Sequence, residues 1–238
     1  MTTIYLVRHA QAGDRENYDV LSDLGREQAR ALGEHLSREG VELAAVYSGG
    51  MVRQRATAEI VCSTLSTSGG ATPGVVVDER WNEFSLASVY RAIARRLIAD
   101  SPRFASDVVE MQAALKRDPH TTRGATGRCD TAVIRAWMEN RYAEYEGESW
   151  KDFRARIRSC IPDLTAHDSD RAVAVFTSAT PIAILTGAAL DLSDEKLLSI
   201  LGVLYNTGTT MIRGRENELR LFTFNQAAHL NNSHRTFR

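Results

Sequence analysis

Short β-branched runs, each followed by a polar turn and an apolar-faced helix, recur at both ends of this chain. That alternation constrains its fold more than any other feature. Residues 3–7 (Thr-Ile-Tyr-Leu-Val), 43–47, 75–77 and 172–176 read as short buried strands. Ser22 can cap a helix running to about Arg38, with Ala29, Leu32 and Leu36 on one face. Ser48-Gly49-Gly50 opens a second helix, along which Ala58, Val61, Cys62 and Leu65 share a face. Residues 181–190 read as a helix after the late strand. Residues 8–21 and the Gly/Ser/Thr-rich 66–74 read as loops. Between Ser88 and Leu164 the rhythm breaks, and almost everything reads helical around Asp118-Pro119 and the polar stretch 121–131. Residues 203–224 return to strands, with a hairpin around Gly214 to Asn217. The expectation is a single three-layer α/β/α domain over residues 1–238, carrying a helical insertion over about 88–145.

Composition excludes several classes of function. The 238 residues carry 29 Lys plus Arg against 30 Asp plus Glu, a net charge of −1, and 43% are hydrophobic. A chain so balanced is neither a basic nucleic-acid coat nor a disordered polymer, and no nucleic-acid partner is expected. The residues from Ala172 to Leu190 carry no charge, but a buried strand, a turn and a buried helix explain them better than a membrane span. With no basic segment leading into a long apolar stretch near Met1, no secretory signal is expected. Cys62, Cys129 and Cys160 are odd in number and widely spaced, as free packed thiols in a reducing cytoplasm would be. The six histidines form no cluster at zinc-like spacing, so neither a metal nor another cofactor is expected.

In open α/β sheets, ligands bind beyond the carboxyl ends of the strands. Arg8-His9 follows the first strand, residues 48–53 the second, 78–83 the third and 177–180 the late one. Two arginines, a histidine and acidic residues thus converge on one edge, a set suited to an anion with His9 as nucleophile or base. Arg53 falls in the first turn of a helix that starts right after a strand, where free N–H groups and a guanidinium together favour phosphate.

Leu6-Val7-Arg8-His9-Ala10 together with residues 47–59 (Tyr-Ser-Gly-Gly-Met-Val-Arg-Gln-Arg-Ala-Thr-Ala-Glu) resembles the histidine phosphatase superfamily, the phosphoglycerate mutase-like fold. Ala10 stands where that family usually has glycine. Residues 22–31 resemble its first helix, 78–83 the segment with its proton donor, and 147–149 the start of the helix returning from the insertion. The resemblance implies a phosphomonoesterase acting on a phosphorylated small molecule, without a metal, and with a phosphohistidine on His9. Arg8 and Arg53 bind the phosphate, and Glu83 protonates the leaving alcohol and then activates water. Glu79 is the rival acid.

One departure stands out. The family's second histidine, after the late strand, matches Ser178 here, within Phe176-Thr177-Ser178-Ala179-Thr180-Pro181. A serine donates one hydrogen bond to a phosphoryl oxygen but brings no charge, and losing a preorganised donor costs on the order of 10²–10³ in rate. The expectation is therefore slow turnover, unless Ser178 donates well or another cation such as Arg213 moves in. Two alternatives follow: a phosphate-ester binding or regulatory protein with little turnover, and mutase-type phosphoryl transfer. A hydrolase nucleophile elbow at Ser178 is disfavoured, because Phe176 and Thr180 occupy its glycine positions.

Other residues carry weaker expectations. His167 is expected at the wrong end of the sheet, and His229 is a weak site candidate, better explained as a packed histidine. Residues 87–160 hold 14 basic and 10 acidic residues, so the insertion is only mildly basic. Arg123 or Arg128 is a candidate contact for an anionic substrate. Trp137, Tyr142 and Tyr145 are expected in the insertion's own core or at a subunit contact of a homo-oligomer.

Overall fold

A computed structural model describes residues 1–13, 18–67, 72–119, 121–142, 145–167, 170–216 and 218–237. Its centre is a six-stranded sheet of strands β1 (Thr2–Arg8), β2 (Leu43–Ser48), β3 (Val75–Val77), β4 (Ala172–Thr177), β5 (Thr209–Arg215) and β6 (Glu218–Gln226). They lie in the order β3-β2-β4-β1-β5-β6. The first four of these are parallel, while β5 and β6 run antiparallel to their neighbours. Helices α1 (Asp23–Arg38) and α2 (Val52–Thr67) join the first three strands. Between β3 and β4 come α3 (Leu86–Asp100), α4 (Pro102–Arg117), α5 (Ala125–Met138), α6 (Trp150–Arg158) and α7 (Ile161–Thr165). Helices α8 (Ala179–Leu190) and α9 (Asp194–Leu201) lead from β4 to β5.

Side-chain alternation along the strands divides the interior in two. Val7 of β1 and Ala172, Ala174 and Phe176 of β4 join Ala29, Leu32, Val61 and Cys62 of α1 and α2. Ile4 and Leu6 of β1 and Val173 and Val175 of β4 face the opposite way, toward Ile182, Ile184 and the helices between β3 and β4. On β2 the alternation breaks: a register shift between Leu43 and Ala45 puts both Leu43 and Val46 on the α1–α2 side. The sheet therefore has helices on both faces, as expected of a three-layer α/β/α fold. Close packing of α1 on α2 requires Gly33, where a Cβ would fall 2.6 Å from Thr64 Cβ.

Strand and helix positions follow the sequence reading closely, except that residues 203–208 form a turn rather than strand and β6 runs on to Gln226. Ser22 caps α1 by accepting from Gly25 N at 3.0 Å. The helical middle starts at Leu86, two residues earlier than read. Helix α8 starts at Ala179, because Pro181 fits a first turn whose N–H groups lack helical partners anyway. Helix α9 lies in a stretch given no element from sequence. The turn of the predicted hairpin lies partly outside the described residues, at Asn217, although β5 and β6 pair up to Arg215 and Glu218. Residues 14–17 and 68–71 of the two predicted loops also lie outside them.

The aromatic residues of the helical region form its core. Trp137 stacks on Phe84 with ring centres 4.4 Å apart and meets Trp150 edge-on at 5.5 Å. Tyr142 is buried and donates to Asp100 at 2.8 Å. The three cysteines are free and buried, and burial pushes the thiols of Cys62 and Cys129 up to about 11 and Cys160 to about 12. Among the described residues, no helix is long and apolar enough to cross a membrane.

Candidate functional site

The carboxyl ends of β1, β2 and β4 meet at one edge of the sheet. Arg8 is paired with Thr177, and Ser48 with Phe176, so the residues after each strand emerge side by side. His9 N donates to Thr177 O at 2.8 Å, and Asn206 Nδ2 donates to His9 O at 3.0 Å. His9 is 2% exposed and its backbone is held on two sides.

The imidazole has a defined orientation. Nδ1 lies 2.8 Å from Ala10 O, a carbonyl that can only accept, so Nδ1 carries the proton. Nε2 then presents its lone pair, toward which Arg53 Nε donates at 3.2 Å. Burial, followed by the charges of Arg53 and Arg8, holds His9 well below the usual histidine range. A neutral imidazole whose Nε2 lone pair accepts only from a guanidinium can attack an anionic centre once that guanidinium turns from Nε2 to the anion and neutralises it.

Arg53 reaches this position from the first turn of α2. Its Nη1 is paired with Asp19 Oδ1 at 2.8 Å, and Asp19 Oδ2 accepts from Val52 N at 3.0 Å. The helix N-terminus expected to attract phosphate is thus partly engaged by a carboxylate. The Tyr18 ring lies 4.9 Å from the guanidinium carbon. Arg8 is buried too, and its Nη1 donates to Leu204 O and, at 2.9 Å, to Phe237 O. Arg8 Nε is buried with no hydrogen-bond partner among the described residues, so this arginine keeps a spare donor.

Glu83 completes the group. A 3₁₀ turn at Glu79–Trp81 leads to it, braced where Thr177 Oγ1 donates to Trp81 O at 2.6 Å and Arg156 Nη1 to Arg80 O at 2.6 Å. Glu83 Oε2 accepts from Thr180 N at 3.1 Å, and Oε1 from Phe84 N at 3.1 Å. Burial raises its affinity for a proton above the ordinary glutamate value, partly offset by those N–H groups and by Arg53. Arg8, Arg53 and Glu83 all line one cleft of about 1030 Å³. Glu79 is exposed and does not line it.

Ser178 follows Thr177 directly, beside His9, and is 2% exposed. Its Oγ accepts from Gln54 Nε2 at 2.9 Å and makes no other hydrogen bond among the described residues, so its own proton remains available. Gln54 occupies the space next to Gly49, where a Cβ would collide with the Gln54 carboxamide.

The remaining candidates lie elsewhere. Arg213 pairs with Thr3 at the opposite end of the sheet and stacks on Phe222 at 4.3 Å, so it brings no charge to Ser178. His167 sits near Thr2, whose Oγ1 donates to His167 O at 2.6 Å. His229 bonds Thr207 Oγ1 at 2.9 Å and stacks on His35, and burial lowers it to about 4. Arg128 is exposed and paired with Asp107 and Glu110, each at 2.7 Å. Arg123 lies 5.9 Å from the ring of Phe237, a cleft residue, and does not itself line the cleft.

Sequence reasoning missed Asp19, Gln54, Asn206 and helix α9. For α9 a signal existed: Ser193 in cap position with Asp194 and Glu195 in the first turn. Nothing local marks Asp19 or Asn206 as partners of α2 and His9.

The comparisons with known proteins bear on the fold and the family. The chain resembles YhfR of Bacillus stearothermophilus at 23% identity and a TM-score of 0.64, over 96% of this chain and 99% of the other. A mycobacterial glucosyl-3-phosphoglycerate phosphatase solved with inorganic phosphate is similar at 23% identity and a TM-score of 0.64, over 97% and 100% of the two chains. A mutant phosphoserine phosphatase from Entamoeba histolytica in complex with phosphoserine is similar at 15% and 0.63, over 97% and 100%. At these identities the likeness shows the fold alone. No curated protein matches the chain. The family model of the histidine phosphatase superfamily (branch 1), however, matches residues 4–227, and the chain belongs to that superfamily.

Proposed function

We propose that this protein hydrolyses phosphomonoesters through a phosphohistidine on His9. The superfamily supports phosphoryl hydrolysis or transfer in general. The observation that carries the finer reading is His9 itself: neutral, with Nδ1 turned to Ala10 O and Nε2 next to Arg53. Nε2 attacks phosphorus, the ester P–O bond breaks, and the Glu83 proton passes to the departing alkoxide. Water then attacks the phosphohistidine as the Glu83 carboxylate takes its proton, the P–N bond breaks, and phosphate leaves. Arg53, Arg8 Nε and the Ser178 hydroxyl serve the phosphoryl oxygens. Residues 88–145 act as a cap over this edge. With Ser178 supplying a hydrogen bond but no charge, turnover is slow.

A second reading, a phosphate-ester binder with little turnover, is favoured by the Ser178–Gln54 bond, which ties the hydroxyl to a neighbour. Incubation with 4-nitrophenyl phosphate separates the two. The enzyme releases inorganic phosphate and, when quenched, carries an acid-labile, base-stable phosphate on His9. His9→Ala is expected to abolish both, with a rate loss of roughly 10³ or more, as for other activated nucleophiles. Full activity in His9→Ala overturns the mechanism, and phosphate binding with no turnover in the natural protein selects the binder.

A further inference from the structure

The cleft has a charged floor and a nearly uncharged wall. Beyond Arg8, Arg53 and Glu83, it is lined by Leu86 and Tyr90 of α3, Met111 of α4, Ile134 of α5, and Leu198 and Leu201 of α9. Neutral hydroxyl groups such as those of Thr122 and Thr131 lie between them. Among the described residues, the charged members of this outer lining are Arg91 and Asp130. Arg91 is exposed, and the Asp130 carboxylate accepts from the Tyr90 hydroxyl at 2.6 Å. A second anionic group on a ligand would thus meet one exposed arginine, a carboxylate that repels it, and apolar side chains that cannot solvate it. The volume of about 1030 Å³ far exceeds what a phosphate alone needs.

Resting on the phosphomonoesterase reading, we propose that the substrate's alcohol part is bulky, aromatic or apolar, and carries no further negative charge. The phosphate sits at His9, and the apolar body lies against α3, α4, α5 and α9. Substrates whose second charged group is a carboxylate or another phosphate are selected against.

The test uses two phosphonates that share one five-carbon chain, phenylpentylphosphonate and carboxypentylphosphonate, bound to the natural protein and followed by calorimetry. The phenyl compound is expected to bind at least about tenfold more tightly, the scale set by burying one aromatic ring. Equal affinities, tighter binding of the carboxylate, or no binding of either overturns the proposal. Met111→Lys, with Leu198→Lys as a second variant should the first not fold, is expected to bring the ratio toward one; an unchanged ratio in a folded variant overturns the assignment to this wall. Hydrolysis of 4-nitrophenyl phosphate is measured alongside. If it is not turned over while the phenyl compound is preferred, the hydrolytic reading fails and the ligand class stands.

Discussion

At the strand edge of the cleft every candidate group is held by directional bonds, whereas the helical wall above it offers shape and apolar surface. Arg8 is tied to two backbone carbonyls, His9 to Ala10 O and Asn206, Arg53 to Asp19, and Glu83 to two backbone N–H groups. Leu86, Met111 and Leu198 on the wall are half-buried, and the first two pack against the hydrophobic core. Under the proposed mechanism the contrast follows from what each part must do. Nucleophile, acid and phosphorus have to line up to within a few tenths of an ångström, and bonds to a sheet edge give that precision. Apolar walls tolerate volume-conserving exchange, so the wall can be retuned for another alcohol without disturbing the floor.

The sharpest way to break this contrast is at Glu83. Glu83→Gln keeps the side-chain shape but has no proton to give, so hydrolysis of alkyl phosphates is expected to fall about 10²–10⁴-fold. Activated aryl esters, whose alcohols leave unaided, should fall far less. The pH profile gives the sign. Burial raises Glu83 above the ordinary carboxylate value, so the acid form persists to higher pH than in a free glutamate, and kcat on alkyl esters declines as pH rises through that raised value. His9 is depressed and stays neutral below the usual histidine range, so the nucleophile does not limit that range. Glu83→Gln removes the basic limb; if Glu79→Gln does so instead, the proton donor is Glu79.

Arg53 comes next. Arg53→Ala is expected to weaken vanadate binding and lower kcat/KM by about 10²–10³, the cost of one preorganised donor. Arg55, exposed two residues on, should change either by less than about twofold when replaced by Ala. Equal effects would falsify the placement of Arg53 at the phosphate. The smallest effect is expected at Ser178. Ser178→Ala removes one neutral donor and should slow turnover a few-fold, on the scale of a single uncharged hydrogen bond. Ser178→His should raise kcat more than affinity, provided the Gln54 carboxamide yields its place. Inert outcomes for both, in folded protein, would show that residue 178 does not face the phosphate.

Much of this was legible in the chain alone, because the controlling physics is local. Val75–Val77 becomes a strand and Ser22 a cap through preferences of adjacent residues, and Arg8-His9 follows β1 wherever β1 lies. The rule that ligands gather at strand carboxyl ends then selected the segments after β1, β2, β3 and β4. The resemblance to the superfamily singled out Arg8, His9, Arg53, Glu83 and Ser178 within them, and these five lie near one edge of the sheet. Helix α9 escaped notice although its start carries a cap signature, since eight residues make too few turns for a periodicity.

Sequence by itself determined the alternation, the two-sided sheet, the free packed thiols and the membership in the histidine phosphatase superfamily, all properties of residue type and short-range spacing. Only the tertiary structure decided which imidazole nitrogen carries the proton, that Asp19 rather than solvent meets Arg53, that Arg213 lies at the far end of β5, and that the wall is largely apolar. Each of these joins residues far apart in the chain: Arg53 and Asp19, His9 and Asn206, Arg8 and Phe237. Such pairs are formed by the strand order β3-β2-β4-β1-β5-β6, in which β4 enters between β1 and β2. No local pattern encodes that insertion, since it depends on which faces the whole set of helices can bury together.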